Sequence, residues 1–226
     1  MKKTLSLLLS LMLCILCLPA LGEEDTYVSV SITDDTGALV LALESVLVND
    51  TDSDGLLTIN DALACAHHAH PDGMAAYATA QTEWGLSLLK LWGVENGGSY
   101  GYYLNDASAF SLTDPVKGND HVKAYVFTDL NTFSDTYCYF DATYVETSIG
   151  ETVELTLTAA TFDENYAPIA VPVAGATLVI DGELTDIITD AEGKVNLTIV
   201  EDGSYLISAD HPEMNLVDPV CIVQAH

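Results

Sequence analysis

Three aspartates on alternate positions begin the segment whose residue types and spacing point to a specific chemistry. Asp50, Asp52 and Asp54 occupy the first, third and fifth positions of a stretch of twelve residues, and Gly55 follows them. Carboxylates at this spacing are ligands for a hard cation, and glycine permits the positive φ of a sharp turn around an ion. One backbone carbonyl, one hydroxyl used directly or through water, and one last carboxylate complete the predicted ligands, from Leu56, Thr58 and Asp61. The pattern predicts a calcium (Ca2+) site at residues 50–61.

A simpler structure also fits this segment, namely an acidic turn followed by a capped helix. In that arrangement Thr58 is the N-cap, and Asp61, three residues later, completes a variant of the capping box. A cap does not explain why three carboxylates crowd in front of Gly55, because their repulsion costs free energy unless a cation balances it. We therefore favour the calcium site and keep the capped turn as the alternative.

The loop resembles the calcium loops of EF-hand and dockerin proteins. Its last ligand, Asp61, is shorter than the glutamate common in EF-hands and is similar to the dockerin type. The resemblance implies similar coordination with the following helix closer to the ion, and it makes dockerin-like attachment to a scaffold protein one functional alternative. Dockerins carry two such loops, and the acidic turns at 114–120 and 181–190 lack the pattern.

The first 22 residues have the pattern of a secretory signal peptide. Two lysines precede an apolar run from Leu5 to Leu18, and Ala20-Leu21-Gly22 provides a cleavage signal with small residues. The run is too short for a spanning helix, and no later segment is apolar enough to cross a bilayer. We expect a secreted, extracellular protein that begins near Glu23 and has no membrane span in the mature chain.

The charge of the chain is strongly acidic and limits its partners. The sequence has six lysines, no arginine and 34 acidic residues, for a formal net charge of -28. Removal of Lys2 and Lys3 with the signal peptide leaves four lysines and a charge of -30. Nucleic acids and anionic membranes carry charge of the same sign, so neither is an expected partner. An extracellular protein, a glycan or a small ligand is the expected partner.

Three cysteines, Cys65, Cys138 and Cys221, remain after the predicted cleavage. An odd number allows at most one intramolecular bridge among them. Cys138 and Cys221 lie near the start and the end of the second half of the chain, where the first and last strands of a β-sandwich often meet. We therefore predict a Cys138–Cys221 disulfide, with Cys65 buried on its helix as a small apolar residue.

The region from 23 to 134 predicts a domain with mixed α and β structure. Alternating apolar residues at 27–32 and an apolar run at 39–48 flank a turn and form a β-hairpin. The calcium loop follows, and then a helix over 58–70 that ends at a proline and a glycine. A short second helix is expected at 74–83, with further strands at 86–94, 100–104, 109–112 and 121–128. This order favours a β-grasp-like α+β domain with one main helix.

Four segments of this domain carry a family resemblance. They are Trp84, Leu91-Trp92-Gly93, Gly98-Ser99-Tyr100-Gly101-Tyr102-Tyr103-Leu104-Asn105 and Val122-Lys123-Ala124-Tyr125. They resemble bacterial domains related to the C-terminal β-grasp domain of transcobalamin. The resemblance implies the β-grasp fold more firmly than a ligand, since such relatives include corrinoid-contacting domains as well as other secreted modules.

Cysteine and histidines share the predicted helix of this domain. Cys65 with His68, and His67 with His70, lie three residues apart on one face and could bind a transition metal or haem iron. No zinc-binding motif accompanies them, so surface or helix-end histidines are the favoured interpretation.

A set of aromatic residues could form a stacking platform for a corrinoid, a haem or a glycan. The members predicted to contact the ligand are Trp92, Tyr100, Tyr102 and Tyr103. Because successive strand residues face opposite sides, half of such side chains belong to the core, and a structural role is the favoured alternative.

The region from 135 to 226 predicts an Ig-like β-sandwich of seven strands. Short β-rich segments separated by turns occur at 137–145, 151–160, 176–180, 185–189, 194–200, 204–210 and 219–223. Three motifs, at 175–182, 189–195 and 203–209, resemble bacterial Ig-like or prealbumin-like surface modules. Some of these modules carry a Lys-Asn isopeptide bond from an early strand. Since Lys194 is the one lysine of this region and comes late, we predict no such bond.

The sequence lacks the local patterns of several enzyme classes. Gly-x-Ser-x-Gly, a phosphate loop and arginine are all missing, although catalytic carboxylates have no local signature and a glycoside-active enzyme stays a minor alternative. Two small β-rich domains with one ion site are more typical of binding than of catalysis. We therefore expect a secreted bacterial calcium-binding modular protein with an extracellular binding or adhesion role, not an enzyme. Capture of a small ligand by the β-grasp domain is the main alternative.

Overall fold

Seven strands and one α-helix form the first domain. The computed structural model describes residues 25–226, and the predicted signal peptide, 1–22, lies outside the described residues. The elements in chain order are β1 (Tyr27–Thr33), β2 (Leu39–Leu47), α1 (Ile59–Ala66), β3 (Ala78–Thr82), β4 (Gly85–Lys90), β5 (Tyr100–Leu104), β6 (Ala107–Ser108) and β7 (His121–Val126). Two 3-10 turns, His67–Ala69 and Gly73–Ala76, connect α1 to β3.

Five of these strands form one sheet in the order β2-β1-β7-β5-β6. The first strand, β1, is antiparallel to β2 and parallel to β7, and β7 is antiparallel to β5. The helix α1 contacts β2, β1 and β7 across one face of the sheet. A hairpin, a crossing helix and a last strand inserted beside the first are the β-grasp arrangement, so the predicted fold of this domain is confirmed.

The helix and one face of the sheet form the core of the first domain. Alternate residues of β1, Val28, Val30 and Ile32, are buried in this core together with Ala62 and Leu63 of α1. The side chains on one face of β1, selected by its period of two, therefore pack against the apolar side chains of α1 in one layer. All eight residues of α1 are buried. Among residues 25–226, no helix is long and apolar enough to cross a membrane.

Two predicted elements of this domain are wrong. The segment 74–83 forms a 3-10 turn and then β3 instead of a helix, because pairing with β4 outweighs the helix propensity of its alanines. The segment 109–112 is not a strand, and β6 precedes it. The backbone N–H groups of Phe110 and Ser111 donate instead to the Asp114 carboxylate, at 2.7 and 3.2 Å, which turns the chain away from the sheet.

Ten strands form the second domain. They are β8 (Thr136–Phe140), β9 (Tyr144–Thr147), β10 (Thr152–Phe162), β11 (Pro168–Pro172), β12 (Thr177–Ile180), β13 (Glu183–Ile188), β14 (Lys194–Thr198), β15 (Gly203–Asp210), β16 (Leu216–Val217) and β17 (Cys221–Ala225). One sheet has the order β11-β10-β8-β16 with β14 also paired to β10, and the other has the order β13-β12-β15-β17-β9.

The predicted Ig-like β-sandwich is confirmed, with more strands than the seven expected. The predicted segment 137–145 divides into β8 and β9, which lie in different sheets. Two further strands, β11 and β16, were not predicted; all five residues of β11 are on the exposed surface, so its composition lacks the alternation of a half-buried strand. Leu155, Leu157, Leu178, Ile207 and Val223 are buried in the core between the sheets. The boundary between 134 and 135 stays a prediction, and the apolar cores on its two sides are separate clusters.

The predicted Cys138–Cys221 disulfide is wrong. All three cysteines of the described residues are free and buried. Cys138 lies in β8 of one sheet, where its thiol contacts the Val217 carbonyl oxygen at 3.2 Å, and Cys221 lies in β17 of the other sheet. Burial raises the pKa of each thiol to about 12. Both residues therefore fill the core as small apolar groups, and packing takes the place of the bridge.

The two domains meet at a third cluster, which we call the domain joint. It contains Tyr125 of β7, Tyr137 of β8 and Val217 of β16, all buried. Tyr103 of β5 stacks on Tyr137 with ring centroids 3.4 Å apart. The Lys123 ammonium is buried in the same region and donates to the backbone carbonyl oxygens of Cys138 and Asp218. The sheet face opposite α1 is thus covered by the second domain.

Candidate metal centre

The acidic loop connects β2 to α1, and its three leading carboxylates converge. One carboxylate oxygen from each of Asp50, Asp52 and Asp54 lies within 4.8 Å of the others, and all three residues are exposed. Gly55 has a φ of 85°, as the predicted sharp turn requires. Within residues 25–226, no other group of three or more His, Cys, Asp or Glu side chains converges in this way.

Asp50 organises the turn through the backbone of the residues that follow it. Its Oδ1 accepts the N–H groups of Ser53 at 2.7 Å and Asp54 at 3.2 Å, and its Oδ2 accepts the Gly55 N–H at 2.9 Å. The hydrogen bond from Gly55 is the main reason that the pKa of Asp50 is lowered. Asp50 is therefore ionised and holds the loop closed even before any cation binds.

Asp52 and Asp54 continue this turn with weaker support. The Asp54 N–H donates to Asp52 at 3.3 Å, and the Leu56 N–H donates to Asp54 at 2.8 Å. Partial desolvation raises the pKa of Asp52, and the negative charges of Asp54, Asp61 and Asp50 raise it further. The triad thus repels additional negative charge, and a bound cation would relieve that repulsion.

Asp61 and Thr58 form the capping box of α1. Both oxygens of the buried Asp61 carboxylate accept protein hydrogen bonds. Its Oδ2 accepts from the N–H and hydroxyl of Thr58, at 3.0 and 2.7 Å, and its Oδ1 accepts from the N–H and hydroxyl of Thr51, at 2.8 and 2.5 Å. The capped turn and the acidic cluster therefore coexist. Asp61 lies outside the converging triad, and metal ligation by Thr58, Asp61 and the Leu56 carbonyl stays a prediction.

The helix end of the loop is anchored by a distant segment of the chain. The N–H groups of Ile59 and Asn60 donate to the carbonyl oxygens of Asp114 and Leu112, at 3.0 and 2.8 Å. These bonds satisfy two of the donors that the first turn of a helix leaves free. One half of the loop is therefore rigidly attached to the domain, while the three carboxylates stay open to solvent and retain lone pairs for a hard cation.

The helix-end histidine His67 has a structural role. It is fully buried, its Nδ1 lies 2.6 Å from the Leu63 carbonyl oxygen, and its Nε2 accepts the Trp92 N–H at 2.9 Å. Both ring nitrogens are thus occupied in a neutral ring, and burial lowers the pKa of His67 to about 4. A ring in this state has no lone pair to offer a metal. His67 is thus a helix-end histidine, as one form of the favoured interpretation predicts, but it is buried and not on the surface.

The four aromatic residues predicted to bind a ligand do not share one surface. The Trp92 ring packs against His70 with centroids 4.8 Å apart, and the Tyr100 hydroxyl donates to the Leu89 carbonyl at 2.7 Å. Tyr102 packs against the core of the first domain, whereas Tyr103, the next residue along β5, lies at the domain joint. Strand alternation separates the last two, so the structure brings no platform of four rings together.

Sequence reasoning missed Lys123 and the residues around it. This lysine is buried, its Nζ lies 4.8 Å from the Tyr137 ring centroid, and burial lowers its pKa. Asp218, nearby, has its pKa raised by burial to about 6. The sequence did contain a signal, namely a lysine that alternates with the apolar residues of β7. Because one face of a sheet is ordinarily exposed to solvent, such a lysine is expected on that exposed face. Only the packing of the second domain on that face shows that the lysine is buried.

No protein-family model and no curated protein matches the chain. One matching solved structure is the crystal structure of Dscam1 isoform 4.4, N-terminal four Ig domains, with a TM-score of 0.27 and 11% identity, covering 92% of this chain and 45% of that chain. The chain thus spans under half the length of that protein. The β-grasp and sandwich assignments rest on the strand order and pairing described above.

Proposed function

We propose that this protein is a secreted bacterial calcium-binding modular protein with an extracellular binding or adhesion role. The observation that carries the proposal is the convergence of Asp50, Asp52 and Asp54 at a turn made by Gly55. Three carboxylates at this distance match the oxygen ligands that Ca2+ prefers, and the spacing is that of a twelve-residue calcium loop. The ion would stabilise the connection between β2 and α1, and the two β-rich domains would present the surface for an extracellular protein or glycan.

The proposed coordination brings the four predicted aspartate ligands to the ion in two steps. The exposed triad contacts the ion first, because its oxygens already face each other. Asp61 completes the site when the ion replaces the hydrogen bonds that Thr51 makes to its Oδ1. The Thr58 contacts to Oδ2 can persist, since they are also the cap of α1. The capped helix is thus compatible with calcium binding, and the two interpretations of the loop are parts of one site.

Calorimetric titration with calcium tests this function. We expect the wild-type chain to bind one ion with measurable heat, and at a hundredfold excess over Kd to gain about 2.7 kcal/mol of stability against unfolding. Asp52→Asn should abolish both effects, because it removes one of the three carboxylates of the triad. The Asp52 side chain accepts a single long backbone hydrogen bond, from the Asp54 N–H, so its role in the turn is small.

The control variant is Asp202→Asn, which removes the same charge from an exposed position of the second domain. It should retain calcium binding. Absence of heat at millimolar calcium, or equal binding by the wild type and Asp52→Asn, would refute the calcium site. Binding by the wild type and Asp202→Asn, with no binding by Asp52→Asn, separates a specific site from general attraction to an acidic protein.

A further inference from the structure

A second candidate site, independent of the acidic loop, lies in a cleft between the two domains. The cleft has a volume of about 460 Å3. The β5–β6 hairpin of the first domain forms one wall, and β8 with the β10–β11 hairpin of the second domain forms the other. Cavities at domain junctions, apolar with a few polar groups, are common places for small-molecule binding.

One acidic group and three aromatic rings define the character of this cleft. Tyr103, Tyr139 and Phe162 provide the rings, Ile169 adds an aliphatic wall, and Asp106 is the charged residue of the lining. Phe162 is 56% exposed and Ile169 is 40% exposed, so a ligand in the cleft would cover apolar surface that now faces water. The lining therefore suits a ligand with an apolar body.

The Asp106 carboxyl is held in place and has no ion-pair partner. Its Oδ1 accepts the Tyr137 hydroxyl at 2.7 Å, and burial raises its pKa. Across residues 25–226, the ion pairs of lysine are those to Glu95 and Glu154. The carboxyl group is thus partly desolvated and has no cation of the described chain within ion-pair distance, so a cation in the cleft would stabilise its ionised form.

Lys123 is near Asp106 but is committed elsewhere. Its ammonium donates to the backbone carbonyl oxygens of Cys138 and Asp218 and lies over the ring of Tyr137. It lies outside the lining of the cleft. Lys123 therefore partly compensates the negative charge of Asp106 from outside the cleft, and it leaves the space for a ligand open.

The aromatic wall is arranged before any ligand arrives. Tyr103 stacks on the buried Tyr137 with the ring planes within 4° and the centroids 3.4 Å apart. Tyr139 lies next to Tyr137, with centroids 6.3 Å apart. Rings that packing already orders lose little conformational entropy when a ligand binds.

The strands beside the cleft do not suit a peptide that would extend a sheet. The edge strand β11 begins and ends with proline, at Pro168 and Pro172, and neither residue has a backbone N–H. The edge strand β6 has two residues only. Short strands and prolines at an edge oppose strand addition, which favours a small molecule as occupant.

We propose that this cleft binds a small organic cation, a primary ammonium group carried on a flat apolar body. The ammonium group contacts the Asp106 carboxylate, and the apolar body lies between Tyr139 and Phe162. Aromatic faces attract cations and cover apolar surface, so both parts of such a ligand are recognised. The formal charge of -28 further attracts cations toward the protein.

Phenethylamine and its neutral analogue phenethyl alcohol test this proposal by calorimetry. We expect the wild-type protein to bind the amine about tenfold more tightly than the alcohol, the factor that one charge-assisted hydrogen bond provides. Asp106→Asn should remove this preference. Asparagine accepts the Tyr137 hydrogen bond through its amide oxygen and tolerates the positive φ of 62° at this position, so the fold is retained.

Two further variants separate the site from nonspecific effects. Phe162→Ala should weaken the amine and the alcohol together, by about fivefold, because it removes the apolar wall. Asp181→Asn is the matched control, since Asp181 also has a positive φ, of 51°, in a hairpin turn but lies outside the cleft. It should leave binding unchanged. Equal affinity for the amine and the alcohol, an Asp106→Asn variant that keeps the preference, or no binding of the amine at about 10 mM would overturn the proposal.

Discussion

The acidic loop and the domain joint differ in how their charged groups are exposed and paired. In the loop, Asp50, Asp52 and Asp54 are exposed, close together and of one sign. In the joint, the single ammonium of Lys123 is buried against carbonyl oxygens and an aromatic ring, with Asp106 and Asp218 near it. Water screens the first group, whereas burial strengthens every interaction of the second. The loop is therefore suited to exchange an ion, and the joint is suited to hold two domains together.

The comparison predicts that one lysine of the joint matters more than any single residue of the loop. Lys123→Ala should reduce the free energy of unfolding by about 3 kcal/mol, because it creates a cavity and leaves buried carbonyl oxygens without donors. Chemical denaturation measures the loss. The matched substitution Lys194→Ala, which removes an exposed ammonium 2.6 Å from Glu154, should leave stability unchanged. If the two substitutions reduced the free energy of unfolding by similar amounts, Lys123 would be accessible to water and the domain joint would not exclude solvent.

Substitution of Asp61 should differ from substitution of a triad aspartate in its effect on stability when calcium is absent. We expect Asp61→Ala to lower the free energy of unfolding by about 2 kcal/mol in excess chelator, because four hydrogen bonds, two buried and two partly buried, are lost and the capping box is lost with them. Asp52→Ala under the same conditions should have little effect. Thermal or urea denaturation of both variants checks the difference. If Asp61→Ala were harmless in chelator, its role would be confined to the ion.

Acid should weaken the first domain through its buried histidines. An unfolded histidine takes up a proton near pH 6.5, while His67 and His121 do so at about 4 in the folded chain, so stability falls as the pH drops from 6.5 toward 4. Each contributes up to about 1.4 kcal/mol per pH unit. Asp218 acts in the opposite direction, since its pKa is raised to about 6 and folding is favoured by its protonation.

The contribution of His67 can be isolated by substitution. His67→Leu destabilises the protein at every pH, but its unfolding free energy should fall less steeply than that of the wild type between pH 6.5 and 4. Urea denaturation at several pH values gives both slopes. Equal slopes would contradict the assignment of a neutral, buried ring to His67.

The smallest expected effect is that of Asp52→Asn on the melting temperature, which should change sign between chelator and calcium. In excess chelator, Asp52→Asn should melt at the same temperature as the wild type or slightly higher, because it removes a charge that partial desolvation and the neighbouring aspartates both disfavour. In calcium, the same variant should melt several degrees lower than the wild type, because it loses the ion. Melting curves in the two buffers provide the test. A variant that is less stable in both buffers would assign Asp52 a structural role instead.

Local patterns predicted much of the fold and one half of the site. Period-two alternation located β1, and the pairing of Thr58 with Asp61 located the start of α1. The same reasoning failed where local preference opposed tertiary pairing, as in β3. It also failed for Cys138 and Cys221, because they lie in different sheets and position along the chain does not decide which core side chains meet.

By itself, the sequence determined the spacing of the aspartates, the turn at Gly55 and the first β-hairpin, because these depend on residues close together along the chain. Tertiary structure alone decided that Lys123 is buried, that Tyr103 packs against the second domain, and that a cleft opens at Asp106. Each of these depends on where the second domain packs against the sheet of the first. Burial and electrostatic screening are properties of that packing, and no local pattern contains them.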